Sequence, residues 1–326
     1  MKCVVTGALG QDGSYLIENL YALGYEVIGL IRQGSQKEKK ENFNLLENKC
    51  RLIECDLNSL EIQNIVKKFK PNRFFHLAAS HISSTEKPQN ILRLQREMIE
   101  TNFTSLENIA RAILENNPSC RLFYAGSLQQ YKAIDHGILK IDETTLQEPS
   151  TFYGQTKIWG QNLVSFYRKN HGLWGCTGVL FNHESPRRES KFITRHITKS
   201  VASIKEGKSN EIVIKYPNSL VDWSHAEDVV QAIYKMLEVD SPKDYIIGSG
   251  KQYSVLEFTK RACKIGDINF ANHCQSAIND KSKPKGSLIS NPRKIKNELN
   301  WEAKFALNDI IKDMLQNDLD LSLIMK

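Results

Sequence analysis

Tyr153 and Lys157 stand four residues apart in the run Ser150-Thr151-Phe152-Tyr153-Gly154-Gln155-Thr156-Lys157. On a helix this spacing puts a phenol and an ammonium on one face, a turn apart. A free phenol, with a pKa of about 10, is a poor base at neutral pH. A cation held beside it favours the phenolate and brings the group toward catalytic range. The same pair also describes an ordinary solvated helix face, so its weight depends on what else the chain carries.

A glycine loop supplies that weight. Gly7-Ala8-Leu9-Gly10-Gln11-Asp12-Gly13 follows an apolar run and opens a helical pattern. Between a strand and a helix, such glycines let the backbone approach a pyrophosphate at the helix N-terminus. The second strand ends Leu30-Ile31-Arg32 and continues Gln33-Gly34-Ser35. An NAD site usually places a carboxylate there for the ribose 2′-hydroxyl. Here Arg32 and Ser35 suit a 2′-phosphate, so NADP(H) is expected over NAD; a solvated Arg32 is the plain alternative. Asp56-Leu57, after the third strand, is placed to meet the adenine, though Asp56 equally suits a helix cap.

The elements that must position these groups are legible as alternation. Apolar runs at 2–6, 26–31, 51–54, 73–77 and 120–125 read as buried strands, with helical stretches near 14–23, 59–69 and 88–117 between them. A helix over 153–170 and a strand over 174–181 continue the series. The fold class expected is α/β, a doubly wound parallel sheet of Rossmann type with a smaller C-terminal substrate-binding lobe. The dinucleotide-binding domain is expected over 1–181, with parts of 219–250 returning to it, and the lobe over most of 182–326. In the lobe, helices are expected near 190–206, 226–237, 254–265, 291–299 and 306–319, strands near 211–215 and 244–248, and loops at Lys37–Lys40 and 279–286.

Composition narrows the classes. The 326 residues are 40% hydrophobic and 25% charged, as in ordinary soluble domains. The net charge of +7 comes from scattered lysines without a nucleic-acid-binding motif. Seven cysteines lack Cys-x-x-Cys or finger spacing, which reads as reduced thiols in the cytoplasm. His76 and His81 have no partners at ligand spacing, so no metal is expected. Met1 runs directly into the first strand, so no leader is expected, and no apolar stretch reaches the roughly 18 residues of a membrane span.

Several longer strings together resemble the extended short-chain dehydrogenase/reductase family, and within it the GDP-mannose 4,6-dehydratases. They are Thr6 to Leu16, Leu180-Phe181-Asn182-His183-Glu184-Ser185-Pro186-Arg187-Arg188, Asp222-Trp223-Ser224-His225-Ala226-Glu227-Asp228, and Lys251-Gln252-Tyr253-Ser254-Val255. The resemblance spans nearly the whole chain. It implies that Tyr153 takes the proton of a sugar C4 hydroxyl as hydride leaves C4 for NADP. Lys157 would bind the nicotinamide ribose and lower the phenol pKa, and Ser127 would hydrogen-bond the C4 oxygen. Asn182 and Arg188 match nucleotide-sugar positions, with oligomer contacts the alternative for Arg187 and Arg188. A GDP-linked sugar and a homo-oligomer, dimer or tetramer, are implied likewise. Trp223 reads as a packing residue.

The chain departs from that pattern at the dehydration step. The dehydratases carry a glutamate two residues after the Ser/Thr, to take the C5 proton of a 4-ketone. Here Ala125-Gly126-Ser127-Leu128-Gln129-Gln130-Tyr131 puts Gln129 there, and an amide accepts no proton near neutral pH. Losing a positioned base costs about 10²–10⁴-fold. Glu184 and His183 are the candidate substitutes. Val221 stands where relatives have arginine before Asp-Trp, and Lys283-Pro284 replaces an Arg-Pro pair. Lysine is a point charge where arginine grips a diphosphate with two parallel bonds. Lys281, Lys283 and Lys285 form either an electropositive lid or a solvated loop. Three readings result: a true dehydratase; a 4-ketoreductase, C4 oxidase or C4 epimerase; and a non-catalytic binder of cofactor and nucleotide sugar.

Overall fold

A computed structural model describes residues 1–81, 90–275 and 286–324. The apolar runs become strands, apolar on both faces as a sheet covered by helices requires, and buried except at the edge strand Arg51–Glu54. The chain runs β1 (Lys2–Thr6), α1 (Gln11–Ala22), β2 (Glu26–Ile31), α2 (Ser35–Glu38), α3 (Lys40–Leu46), β3 (Arg51–Glu54), α4 (Glu61–Phe69) and β4 (Arg73–His76). Then come α5 (Ile91–Ile99), a π-helical turn (Glu100–Thr104), α6 (Ser105–Asn116), β5 (Arg121–Ser127), β6 (Ile138–Ile141), α7 (Phe152–His171) and β7 (Gly175–Leu180). The stretch expected as one helix over 88–117 is therefore broken by the π turn, and Lys37–Lys40 lies in two short helices rather than a loop.

Beyond β7 lie β8 (Asn182–Glu184), α8 (Ile193–Lys205), β9 (Leu220–His225), α9 (Ala226–Met236), β10 (Tyr245–Ile247), β11 (Gln252–Ser254), α10 (Val255–Ile265), α11 (Phe270–His273) and β12 (Ser287–Ser290). Helices Arg293–Leu299 and Leu307–Ile324 complete the order. Seven parallel strands pair in the order β10-β7-β5-β4-β1-β2-β3. Strand order reverses between β1 and β4, and crevices at such switch points hold ligands.

Alternate residues of a strand face opposite sides. Cys3 and Val5 join a core with Leu16, Ile17 and Leu20 of α1 and Val229 and Ile233 of α9. Val4 joins the other, with Ile62 and Val66 of α4 and Ile109 and Ile113 of α6. Burying each such large side chain contributes about 1.5–3 kcal/mol. A third core joins Ile197, Trp223, Phe258 and Ile310, with Trp223 packed 5.2 Å from Phe258 between ring centres. Gly13 lets α1 start tight against the loop: a Cβ there would lie 2.3 Å from the Gly7 carbonyl oxygen. Buried His76 ties the end of β1 to α6, its Nδ1 2.9 Å from Thr6 Oγ1 and its Nε2 3.2 Å from Ser105 Oγ.

The lobe differs from expectation in its strands. Residues 211–215 form no strand; Ile212 and Ile214 are buried, and Ile212 N–H donates to the His273 carbonyl (2.7 Å) instead of joining a ladder. Small sheets form where none was expected: β11-β9-β8, and β12 beside β6. Buried Asp222 welds them together, accepting from the backbone of Ser249, Gly250 and Ser290 and from both serine hydroxyls. The 279–286 loop, apart from Gly286, lies outside the described residues, as do Lys281, Lys283 and Lys285.

Candidate active site

Thr151 builds the centre of the site. Its hydroxyl oxygen caps α7 by accepting from Gly154 N–H (3.0 Å), and its proton goes to Gln129 Oε1 (2.9 Å). Gly154 is required there, because a Cβ would lie 2.0 Å from the Gln129 carbonyl oxygen. The turn after β5 is thus seated on the start of the helix that carries Tyr153 and Lys157. Ser127, at the end of β5, caps that turn: its hydroxyl accepts from Gln129 N–H (3.3 Å), and its own N–H donates to Gln130 Oε1 (2.8 Å). Gln130 is buried and donates to Gln161 Oε1 (2.6 Å), which also accepts from Gln147 (2.7 Å). Around position 129 these polar partners are neutral amides and hydroxyls.

Tyr153 and Lys157 do face one side. Lys157 is 2% exposed, donates to the Ala125 carbonyl at 2.9 Å, and sits 5.6 Å from the Tyr153 ring centre. Burial brings its ammonium down to about 7. Burial pushes the Tyr153 phenol up to about 12, opposed by the Ser127 hydroxyl and then by the Arg188 guanidinium. Sequence spacing makes Lys157 the group that lowers the phenol; in the fold Ser127 and then Arg188 do so.

The glycine loop has its own partner. Gly10 N–H donates to the Gly7 carbonyl (2.8 Å), and α1 begins at Gly10 without a side-chain cap, leaving its first-turn donors to an anion. An uncapped helix N-terminus beside a glycine-lined loop suits a diphosphate. Gln11 donates to the His183 carbonyl (3.1 Å) and accepts from Ser185 (2.8 Å). Asp12 Oδ1 lies 2.9 Å from His183 Nε2, and His183 Nδ1 lies 2.7 Å from the Phe181 carbonyl. Two acceptors demand two N–H donors, so His183 is held as the cation. Burial alone would lower its pKa, but Asp12 overrides it and raises it; His183 in turn overrides burial and holds Asp12 low.

The remaining predicted residues divide. Arg32 is 75% exposed at the rim and paired with Glu38 at 2.6 Å. Ser35 is buried and donates to the Arg32 carbonyl (2.6 Å), so its proton is committed locally. Asp56 accepts from Asn58 N–H (2.9 Å) in a turn ahead of α4, and the Leu57 carbonyl accepts from Asn108 (3.2 Å). Asn182 begins β8 in register with Trp223. Arg188 reaches the site, its guanidinium 3.6 Å from the Phe192 ring centre. Among the described residues no group of His, Cys, Asp or Glu converges on a metal-sized site.

Sequence reading missed Thr151 and Asn102. Thr151 carried a legible signal, a threonine just ahead of a helical pattern. Asn102 did not: it is buried in the π turn, donating to Thr156 Oγ1 (3.0 Å) and bonding both backbone groups of Ser80 (2.9 Å each).

A parallel sheet with its switch point beside a glycine loop, and a Ser-Tyr-Lys set at the ends of β5 and α7, define an extended short-chain dehydrogenase/reductase enzyme. The profile described as GDP-mannose 4,6 dehydratase matches residues 4–314, and the chain belongs to that family. It is similar to GDP-mannose 4,6 dehydratase 2 of Caenorhabditis elegans, at 30% identity over 98% of this chain and 89% of the relative. In fold it is similar to UDP-glucuronic acid 4-epimerase from Bacillus cereus in complex with NAD, with TM-score 0.79, 20% identity and coverage of 98% and 99%. It is also similar to RMD from Pseudomonas aeruginosa complexed with NADPH, with TM-score 0.75, 15% identity and coverage of 98% and 99%.

Proposed function

We propose that this chain transfers hydride at C4 of a nucleotide-linked sugar, GDP-linked by family, with a nicotinamide cofactor, NADP(H) in preference to NAD. The observation that carries this reading is the convergence of Ser127, Tyr153 and Lys157 beside the glycine loop. When bound, the cofactor supplies the hydride acceptor and donor. Gly7, Gly10, Gln11, Asp12 and Gly13 would hold its diphosphate, Arg32 and Ser35 a 2′-phosphate, Asp56 and Leu57 the adenine, and Lys157 the nicotinamide ribose. NADP preference rests on Arg32, whose Glu38 partner would have to yield to the phosphate.

Tyr153 is the acid/base for the C4 hydroxyl, and Ser127 orients the C4 oxygen by hydrogen bonding. Asn182, Arg188 and Lys283 are the proposed nucleotide-sugar contacts; Lys283 lies outside the described residues. The apolar patch of exposed Phe166 with half-buried Phe103 and Trp159 supports a homo-oligomer, and seven free thiols support a cytoplasmic setting.

Gln129 decides the fate of the 4-ketone once C4 is oxidised. Its amide, fixed by Thr151, supports reduction or epimerisation at C4 over dehydration driven from position 129. The test offers GDP-mannose, UDP- and CDP-sugars, and 4-keto sugars with NADPH, with products identified by mass. Loss of water without net cofactor consumption marks a dehydratase. Net cofactor turnover with the C6 oxygen kept marks the oxidoreductase, and an inert panel rejects the proposal. Gln129→Glu is expected to raise loss of water about 10²–10⁴-fold on a productive substrate; no gain would mean position 129 is not the altered base.

A further inference from the structure

We infer that Glu38 decides how strongly this chain tells NADP from NAD, and that it leaves both dinucleotides able to bind. The inference rests on the cofactor reading above and not on the chemistry at C4.

A dinucleotide whose diphosphate lies on the glycine loop sets its adenosine ribose at the end of the neighbouring strand. Here that strand is β2. It pairs with β1 up to Thr6 and Leu30, and Ala8 N–H of the glycine loop donates to the Leu30 carbonyl (3.4 Å). Arg32 follows two residues on, in a turn that is anchored on both sides. Gly34 takes φ +78° and donates its N–H to Glu54 at the end of β3 (3.2 Å). Asn42 of α3 donates to the Leu9 carbonyl (2.8 Å), which returns the chain to the glycine loop. Between these two ties, α2 brings Glu38 back onto Arg32, carboxylate to guanidinium at 2.6 Å.

The ribose end of the cleft therefore holds two groups of opposite sign. A carboxylate there accepts from the 2′-hydroxyl of NAD and repels the 2′-phosphate of NADP; an arginine does the reverse. Position 32 by itself points to NADP, and the fold returns the missing carboxylate from six residues downstream. Neither group is walled in, since the side chains of Arg32 and Glu38 are 75% and 58% exposed. An ion pair so exposed shifts an equilibrium by only about 2–5-fold, so a ligand can take either partner from the other. Nearby charges are committed elsewhere. Glu54 accepts from Gly34 N–H and, at 3.5 Å, from the Gln36 amide, and Lys39 is paired with Glu189 at 3.2 Å. Glu38 is the carboxylate that faces Arg32.

Calorimetric titration of the full chain with NADP and with NAD, in the absence of sugar, tests this directly. Wild type is expected to bind both, with dissociation constants no more than about 10²-fold apart. Glu38→Gln keeps the size and removes the charge; it is expected to tighten NADP about 2–5-fold and to weaken NAD by a similar factor. Arg32→Gln is expected to weaken NADP at least about tenfold and to spare NAD. Glu54→Gln takes the same charge from the same rim and is expected to leave the ratio of the two constants within about twofold of wild type. A wild type that binds one dinucleotide and excludes the other, a ratio unmoved in Glu38→Gln, or equal shifts in Glu38→Gln and Glu54→Gln would each overturn the inference. Binding of neither would overturn it together with the cofactor reading. Tighter NAD than NADP in wild type would overturn the preference for NADP, while the Glu38→Gln shift would still support Glu38. Both dinucleotides bound without hydride transfer at C4 would overturn the C4 reading alone.

Discussion

The two ends of the cleft are built from different chemistry. At the Tyr153 end the groups ionise and are taken out of water: the phenol is pushed up to about 12, the Lys157 ammonium is brought down to about 7, and Arg188 stands beside the phenol. At the Gln129 end every polar partner is neutral, an amide or hydroxyl that closes on Thr151, Ser127, Gln161 or Gln147. Proton movement needs groups that change charge, and hydrogen-bonded amides only hold shape. The Tyr153 end thus holds groups that can change charge, while position 129 is held by neutral partners. Burial therefore keeps the Tyr153 phenol protonated at neutral pH and brings the Lys157 ammonium close to its titration point.

The largest effect expected from breaking this contrast is at Tyr153. Tyr153→Phe removes the only titrating atom of the side chain and is expected to lower C4 hydride transfer about 10²–10⁴-fold while cofactor binding persists, measured by fluorescence titration. Normal turnover in that variant would move the active site elsewhere.

Lys157 gives a pH signature. Because burial lowers its pKa from 10.5 to about 7, the unfolded chain binds a proton in that window that the folded chain does not. Stability of the cofactor-free protein therefore rises with pH across the window, by up to about 1.4 kcal/mol per pH unit. Lys157→Met is expected to flatten this slope in urea unfolding series; an unchanged slope would show that another group causes it.

The smallest effect concerns the clasp between the glycine loop and β8. His183, raised, contributes stability below its ordinary 6.5 that is lost as pH climbs through its folded pKa. Asp12, lowered, contributes stability above its ordinary 3.8 that is lost as pH drops through its folded pKa. The pair is therefore fully effective between those two values. Asp12→Asn is expected to cost about 1–3 kcal/mol near pH 6 and less in alkali, where His183 sheds its proton in both proteins. A cost independent of pH would mean the pair acts through shape rather than charge.

Legibility obeyed the same divide. The parallel sheet, the glycine loop and the Tyr153–Lys157 face could be read because each depends on local pattern: apolar runs, a loop between strand and helix, a helical spacing. Residues joined across long sequence distance could not. Asn102 meets Ser80 and Thr156 only because the π turn packs against α7, and His81 meets Phe192 from more than a hundred residues away. The small sheets escaped for a related reason. β8, β11 and β12 are three- or four-residue segments, too short for a periodic signal, and Asp222, a buried carboxylate, ties β12 and the turn before β11 to β9. The Ser35 proton, expected for a phosphate, is taken by a carbonyl three residues back, a local competition that residue type alone does not reveal.

The central claim, hydride transfer at C4, is tested most directly with a nucleotide sugar deuterated at C4. GDP-mannose so labelled, and the related nucleotide sugars, would be incubated with the protein and NADP, and the label located by mass spectrometry. Deuterium is expected to leave C4, appearing on the cofactor or elsewhere on the sugar, and Tyr153→Phe is expected to prevent it. Deuterium retained at C4 throughout the panel, with cofactor and sugar both shown to bind, would contradict hydride transfer at C4.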